Sequence, residues 1–177
     1  MVKYLFDANT FIAPHRLYYS NDIAPSFWIW LEQNYGDNIF LIDKVRDELI
    51  NNSDFLGTWV RNAIHNHDNV LYTNSDQHIV DNYASIMQYI TTCGFYKPAS
   101  YNTWAQGNKA DPFLISTALK FNNNREEAVI VTMEKRLGGL NTTNPTSSEP
   151  RIPDVADYYN LQCIDVFEFM RRLNSNL

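Results

Sequence analysis

Short apolar runs alternate with longer amphipathic stretches along this chain of 177 residues. Four runs have the length and composition of strands, and they cover Lys3–Phe6, Ile39–Ile42, Ala128–Thr132 and Gln162–Ile164. Amphipathic segments with helical spacing lie between these runs. An order of this kind is typical of βαβ units, whose strands run parallel. The pattern therefore predicts an α/β protein with a mainly parallel sheet.

The predicted helices follow the strands or fill the long segment between the second and third strands. One helix continues directly from the second strand, and the segment beyond it predicts a helical insert; these helices are 43–51, 53–65, 75–93 (closed by Gly94) and 98–105. Asp165 and Glu168 have the spacing of a capping box, which predicts the start of a C-terminal helix. The polar stretch 141–150, with two prolines, predicts an exposed loop.

The composition is that of an ordinary globular protein, with 45% hydrophobic and 19% charged residues. The length suits a single domain over residues 1–177 and is short for two. Cys93 and Cys163 lack the spacing of a zinc or redox motif, so we expect free thiols in a reducing compartment. No stretch approaches the ~20 apolar residues of a membrane span, and no signal segment is visible. We therefore expect a cytoplasmic protein.

The formal net charge of −6 argues against a protein that coats nucleic acid through a basic face. It does not argue against a nuclease whose clustered acids hold divalent cations. A bound metal ion reverses the local charge that an approaching phosphate meets. The net charge therefore leaves the function open.

Four acids fall where the loops at the carboxyl edge of the predicted sheet converge. Asp7 ends the first strand, Glu134 comes two residues after Thr132, and Asp111 opens the helical run before the third strand. Glu48 lies on the helix after the second strand. In open α/β sheets, ligands bind beyond this edge. We therefore expect the four carboxylates to share one pocket.

A shared pocket would have a chemical consequence for its carboxylates. Glu48 lies at helical spacing from Val45 and Leu49, which predicts that it is on an apolar face and needs a partner. Repulsion among several carboxylates raises their pKa values unless a cation is present. Hard carboxylate oxygens favour Mg²⁺ or Mn²⁺. The sequence thus predicts a divalent metal site.

Each acid also has a structural interpretation of its own. Asp7 could cap the turn or helix that follows it, together with Asn9 and Thr10, and Asp111 before Pro112 has the arrangement of an N-cap. Glu48 could pair with Lys44 on its own helix, and Glu134 could be solvated beside Lys135 and Arg136. Four unrelated roles explain the positions less well than one shared site.

The ordered motifs of the chain resemble those of the PIN domain, and more narrowly those of a divergent bacterial PIN-like family. These motifs are Phe6–Thr10, Val45–Ile50, Ala110–Ile115 and Val131–Glu134. The resemblance implies a doubly wound, three-layer α/β/α fold around a central parallel sheet. It implies that the near-obligatory acids are Asp7, Glu48 and Asp111, and that Glu134 stands at a more variable fourth position, usually Asp. Asn9 and Thr132 match supporting polar positions.

The resemblance also implies an activity and partners. PIN proteins are commonly endoribonucleases that depend on Mg²⁺ or Mn²⁺ and need no covalent nucleophile. Many are toxins inhibited by a separate antitoxin, and they often form homodimers. Basic and aromatic residues near the acids are candidates for RNA contact, namely His15, Arg16, Tyr18, Tyr19, Lys109, Lys135 and Arg136.

Two other functions stay open at this point. The first is a catalytically inert PIN-like module that binds RNA or a protein partner, for which the acidic balance and the Glu at the fourth position leave room. The second is a phosphatase of the haloacid dehalogenase type, which also begins with an Asp after its first strand. Here Asn9 stands where that class has its second Asp, and an amide cannot act as a general acid–base.

Overall fold

The computed structural model describes residues 1–51, 54–65 and 70–175, in which strands and helices alternate. In chain order the elements are β1 (Lys3–Phe6), α1 (Asn9–Leu17), α2 (Pro25–Asn34), β2 (Ile39–Ile42), α3 (Asp43–Ile50), α4 (Phe55–His65), β3 (Val70–Leu71), α5 (Gln77–Thr92), α6 (Pro98–Tyr101), α7 (Ala110–Asn123), β4 (Ala128–Val131), α8 (Ile152–Tyr158), β5 (Gln162–Ile164) and α9 (Val166–Arg172).

The strands form one parallel sheet in the order β3-β2-β1-β4-β5. In the register, Tyr4 of the central strand pairs with Ile39 on one side and Val129 on the other. Strand β4 is buried along its whole length, because helices cover both faces of a parallel sheet and leave no solvated side. Successive connections change direction between β1 and β4. This switch point is where open α/β sheets form their binding crevice.

The two faces of β1 show how the layers are held together. Tyr4 and Phe6 lie two residues apart and therefore share one face of the strand. Both rings contact Phe169 of α9, with centroids 4.8 and 4.9 Å away. Leu5, which is fully buried, points to the opposite face. The arrangement is the three-layer α/β/α fold expected of a PIN-like protein.

The strand predictions are confirmed at β1, β2 and β5, and β4 ends one residue earlier than predicted. The C-terminal helix begins as its capping box predicts, because the Asp165 side chain accepts a hydrogen bond from the N–H of Glu168. Gly94 follows the end of α5 with a φ of +77°, a conformation that glycine adopts without strain. Cys93 and Cys163 are free thiols.

Several elements differ from the predictions. The helix predicted for 98–105 ends at Tyr101, because Asn102 and Thr103 are weak helix formers. The segment predicted as a helical insert also contributes β3, which is too short to be recognised by its pattern. Helices α1, α2 and α8 were not predicted. Pro14 lies inside α1, and α8 has only seven residues. The predicted start of α4 at Ser53 lies outside the described residues.

Helices α5 and α7 pack against each other, and Asp76 joins their ends. Its carboxylate accepts hydrogen bonds from the N–H groups of His78 and Ile79, at 3.1 and 3.3 Å, and so caps α5. Its other oxygen lies 2.6 Å from Nζ of Lys120 on α7. No helix within the described residues is both long and apolar enough to cross a membrane.

Replacing Asp76 with alanine removes both the helix cap and the ion pair. We expect the free energy of unfolding to fall by about 1–2 kcal/mol, most of it from the cap. Urea denaturation followed by circular dichroism measures the change. Asp37→Ala, at an exposed position, is the matched control and should change the free energy by less than about 0.5 kcal/mol. Equal effects of the two substitutions would contradict the capping role.

Candidate functional site

Asp7 is buried where β1 ends, at the switch point of the sheet. Its N–H donates to the carbonyl of Val131 (2.9 Å), which continues the pairing with β4. Its carboxylate Oδ2 accepts a hydrogen bond of 2.8 Å from Oγ1 of Thr132. The residue is only 3% exposed. Two adjacent strands therefore position this carboxylate beyond the carboxyl edge of the sheet.

The interpretation of Asp7 as a helix cap is wrong. The N-cap of α1 is Ala8, and no side chain caps that helix. Thr10 does not cap it either, because its Oγ1 donates to the carbonyl of Val131 at 2.7 Å. Asn9 is exposed at the first residue of α1, beside the buried Asp7. The capping interpretation therefore does not explain why an acid is buried here.

Asp111 lies in the first turn of α7 and is 8% exposed. The N-cap of α7 is Lys109, and no side chain caps this helix, so the N-cap interpretation of Asp111 is also wrong. Its Oδ2 instead lies 3.1 Å from Nζ of Lys109. The same ammonium is 4.0 Å from Glu149. Lys109 is thus a cation held between two carboxylates.

Glu134 follows β4, and its carboxylate is engaged by groups from the start of α8. Its Oε1 lies 3.1 Å from Nη1 of Arg151, and its Oε2 accepts from the N–H of Ile152 at 2.9 Å. Its own N–H donates to Oγ1 of Thr132. The side chain is 11% exposed, so the interpretation of Glu134 as solvated is wrong.

Glu48 is exposed on α3, whereas Val45 and Leu49 on the same helix are fully buried. Helical spacing predicted all three on one apolar face, whereas in the structure Glu48 lies at the border of that face, where solvent reaches it. The carboxylate lines a groove of about 580 Å³ between α3 and the segment 106–110. We call this the α3 groove, and its lining residues are Asp43, Lys44, Asp47, Glu48, Asn51, Asn74, Gln106, Gly107, Asn108, Lys109 and Ala110.

The charges of the neighbouring acids reach Asp7 and Asp111 and disfavour the ionised forms of these two carboxyl groups. Burial, followed by the charge of Asp111, raises the pKa of Asp7 from 3.8 to about 7 against the opposing hydrogen bond from Thr132. The charges of Glu134 and Glu48 add smaller increases. Burial also raises the pKa of Asp111 to about 6, although Lys109 opposes this increase.

The acids are not arranged as a finished chelate. Across residues 1–51, 54–65 and 70–175, no three side chains of the His, Cys, Asp and Glu types are grouped so that they could hold a metal ion. Two of the acids have other partners. Asp111 forms an ion pair with Lys109. Both carboxylate oxygens of Glu134 accept hydrogen bonds from residues at the start of α8. Asp7 keeps a buried carboxylate whose raised pKa indicates insufficient compensating positive charge.

The candidate RNA-contact residues lie in different settings. The ring of His15 packs against Trp28 and Phe55, with centroids 5.7 and 5.3 Å away, and its buried Nδ1 lacks a hydrogen-bond partner within the described chain. Three candidates are exposed, namely Arg16, Tyr18 and Lys135. The ring of Tyr19 stacks on that of Phe27. Arg136 pairs with Asp157 through two hydrogen bonds of 2.6 and 2.8 Å.

Two basic residues near the acids were missed by the sequence analysis. Lys44 lines the α3 groove and is 8% exposed, and Arg151 pairs with Glu134. Lys44 precedes Glu48 by four residues, a spacing that by itself predicts only an ion pair on one helix. Arg151 stands before Ile152-Pro153, and the proline marks a helix start that would have brought this arginine to attention.

Comparison with known proteins gives a family and a fold. Residues 4–177 match the family described as a domain of unknown function, DUF4411. A chain of VapBC2 from Rickettsia felis, solved bound to a DNA fragment from its promoter, has 15% identity and a TM-score of 0.51 over 93% of this chain and 98% of that chain. A chain of DNA-bound VapBC from Salmonella typhimurium has 15% identity and a TM-score of 0.47 over the same shares. No curated protein matches.

The raised pKa of Asp7 predicts a specific dependence of stability on pH. Between pH 3.8 and about 7, the folded protein holds a proton on Asp7 that the unfolded chain has released, so the free energy of unfolding falls as the pH rises. Asp7→Asn keeps an acceptor for Thr132 and removes the charge. At pH 8 without metal, we expect it to raise the melting temperature by about 5 °C, and by less at pH 5.

Differential scanning fluorimetry between pH 5 and pH 8, in the presence of a chelator, measures this difference. Asp37→Asn, at an exposed position, should leave the pH dependence of the wild type unchanged. Parallel curves for the wild type and Asp7→Asn would show that the Asp7 carboxyl does not titrate with a raised pKa.

Proposed function

The chain belongs to the DUF4411 family, and we propose that its PIN-like fold serves as a metal-dependent endoribonuclease that hydrolyses RNA phosphodiester bonds. The observation that carries this proposal is the burial of Asp7 among the charges of Asp111, Glu134 and Glu48. A protein gains no stability from burying an ionised acid beside other acids. Such an arrangement is typical of a site whose function requires a cation.

The donor set fits Mg²⁺ or Mn²⁺. Asp7, Glu48 and Asp111 would hold the ion through carboxylate oxygens, the ligands that hard divalent cations prefer. Glu134 would act through a bridging water, because both of its oxygens already accept hydrogen bonds. A bound divalent ion supplies Lewis acidity, which lowers the pKa of an attacking water and neutralises charge on the phosphate.

The remaining steps belong to the side chains of the protein. Thr132 orients the Asp7 carboxylate through its hydroxyl. Asn9, which is exposed two residues after Asp7, would be a second supporting polar group. Lys109 balances the charge of Asp111 and would separate from it if Asp111 held an ion. Its ammonium would then be available to an RNA phosphate. Of the other candidates for substrate contact, Arg16 and Lys135 are exposed, whereas His15 packs against aromatic rings and Arg136 pairs with Asp157.

The motif resemblance supports a biological setting for this activity. We propose that the protein is the toxin of a toxin–antitoxin pair in the cytoplasm, with a separate antitoxin as its inhibitor and a homodimer as its assembly. The acidic composition suits such a role, because a nuclease that acts at one site does not need a wide basic face.

An inert PIN-like module that binds RNA or a protein partner is the second candidate. One observation favours it: the acids within the described residues are not grouped as a chelate, and both Asp111 and Glu134 have cationic partners. The phosphatase interpretation has no such support, because the exposed Asn9 cannot take the general acid–base role. Metal binding therefore separates the two remaining candidates.

An RNA cleavage assay tests the catalytic proposal. In Mg²⁺ or Mn²⁺, we expect the wild type to cleave RNA, and we expect Asp7→Asn and Asp111→Asn to reduce the rate by about a hundredfold or more, because each variant loses a carboxylate that holds the ion. Asp37→Asn is the matched control at an exposed position and should cleave at the wild-type rate. Cleavage at one common rate by all four proteins would refute this site.

A Mn²⁺ titration followed by thermal melting tests the site without measuring activity. At about a hundred times Kd, bound metal adds about 2.7 kcal/mol to the free energy of unfolding, which corresponds to about 5–10 °C in this size of protein. Asp111→Asn should lose most of this shift. Lys109→Met should lower Kd, because no ammonium then competes with the metal for Asp111.

An absent shift in the wild type would support the inert module. A higher Kd in Lys109→Met than in the wild type would show that the lysine assists metal binding instead of competing with it.

A further inference from the structure

The α3 groove is lined by Glu48 and by Lys109, the partner of Asp111, together with amide side chains and a second lysine. We propose that it is a nucleotide-binding subsite, which holds one nucleotide of a single-stranded RNA beside the phosphate that is cleaved. The inference rests on the proposed function and adds to it a defined place for the substrate. It is carried by three observations: a fixed ammonium, a set of exposed amide side chains, and continuity with the acids.

Lys44 supplies the fixed ammonium. The residue is only 8% exposed, yet it lines the groove, so its alkyl chain is packed and its charged end is held in place. The ammonium lies 4.2 Å from the centroid of the Phe113 ring and 3.4 Å from Oδ1 of Asn74. A cation positioned in this way loses little conformational freedom when it binds an anion. A phosphate of the RNA backbone is the anion that it would bind.

The amide side chains supply hydrogen-bonding groups for a base. Asn51, Gln106 and Asn108 are exposed and line the groove. Their side chains make no hydrogen bond to any other group in the part of the chain that the structure describes. An amide offers both donors and acceptors, the combination that the edges of nucleobases require. The groove can therefore distinguish one base from another.

Three acids line the same groove, and two of them have partners that reduce their repulsion of an anionic ligand. Oδ1 of Asp43 accepts a hydrogen bond of 2.8 Å from Oγ1 of Thr73, and Asp47 pairs with Arg46 at 2.6 Å. These contacts partly compensate two of the negative charges. The third acid is Glu48, which the proposed metal site uses.

The groove is continuous with the proposed cleavage site. Glu48 belongs to both, and Lys109 lines the groove while it contacts Asp111. The volume of about 580 Å³ lies in the range of small-molecule binding sites. A nucleotide held against Lys44 would therefore bring the neighbouring phosphate of its strand toward Asp7 and Asp111.

Binding of a short single-stranded RNA, measured by fluorescence anisotropy, tests the subsite separately from catalysis. The measurements use the Asp7→Asn protein as background, so that the proposed cleavage does not interfere. In this background, Lys44→Met should weaken RNA binding about tenfold. It should also reduce the slope of the logarithm of the binding constant against the logarithm of the salt concentration by about 0.7, because one phosphate contact is lost. Lys97→Met is the matched control, since Lys97 is exposed and lies outside the groove lining.

A second variant protects the test against misfolding. Asn108 is exposed and its side chain makes no hydrogen bond within the described residues, so Asn108→Ala should leave the melting temperature unchanged. We expect it to weaken binding about threefold and to reduce the difference in affinity among the four RNA homopolymers, because a contact to a base edge is lost. If Lys44→Met does not fold, Asn108→Ala and Asn51→Ala carry the test.

The outcomes separate the subsite from the proposed nuclease activity. Affinities unchanged by Lys44→Met and Asn108→Ala would overturn the subsite even if the wild type cleaves RNA. Equal losses from Lys44→Met and Lys97→Met would also overturn it, because the effect would then reflect net charge alone. Losses confined to the groove variants in a protein that cleaves no RNA would support the subsite and refute the nuclease.

Discussion

The carboxylate of Asp7 is buried where β1 ends beside β4, and it experiences the charges of three other acids. Removal from water makes its ionised form costly, and the neighbouring charges increase this cost. Asp7 cannot turn away from these charges without losing hydrogen bonds. Its N–H donates to Val131, and its carboxylate accepts from Thr132. The residues around it therefore either supply positive charge, as Lys109 and Arg151 do, or form a space that a cation could enter.

Two basic residues supply part of that charge, and they do so differently. Lys109 contacts Asp111 at the N-terminal end of α7 and also lines the α3 groove. Arg151 contacts Glu134 at the start of α8, where the N–H of Ile152 binds the same carboxylate. The first pair is a single contact on a flexible side chain. The second is part of a hydrogen-bonded helix start, so the two acids are not equally available to a ligand.

The sequence predicted the sheet well because buried parallel strands leave a strong pattern, as in Ala128–Val131. It placed Asp7 and Glu134 after strands and Asp111 at a helix start, and the structure has each of them there. The partners of the acids could not be predicted in this way. Lys109 stands two residues from Asp111, but Arg151 is separated from Glu134 by a loop, and contacts across a loop leave no periodic signal. Glu48 was placed on the buried face because helical spacing does not resolve the border of that face.

The contact between Glu134 and the first turn of α8 has a consequence for the evolution of the site. An Asp at this position would have a carboxylate shorter by one methylene group, and it would not reach both Arg151 and Ile152 without movement of the backbone. The extra length of the glutamate thus joins the acidic edge to the packing of a helix. Replacement of Glu134 by Asp would require compensating changes near residue 151. Positions 134 and 151 should therefore vary together among relatives.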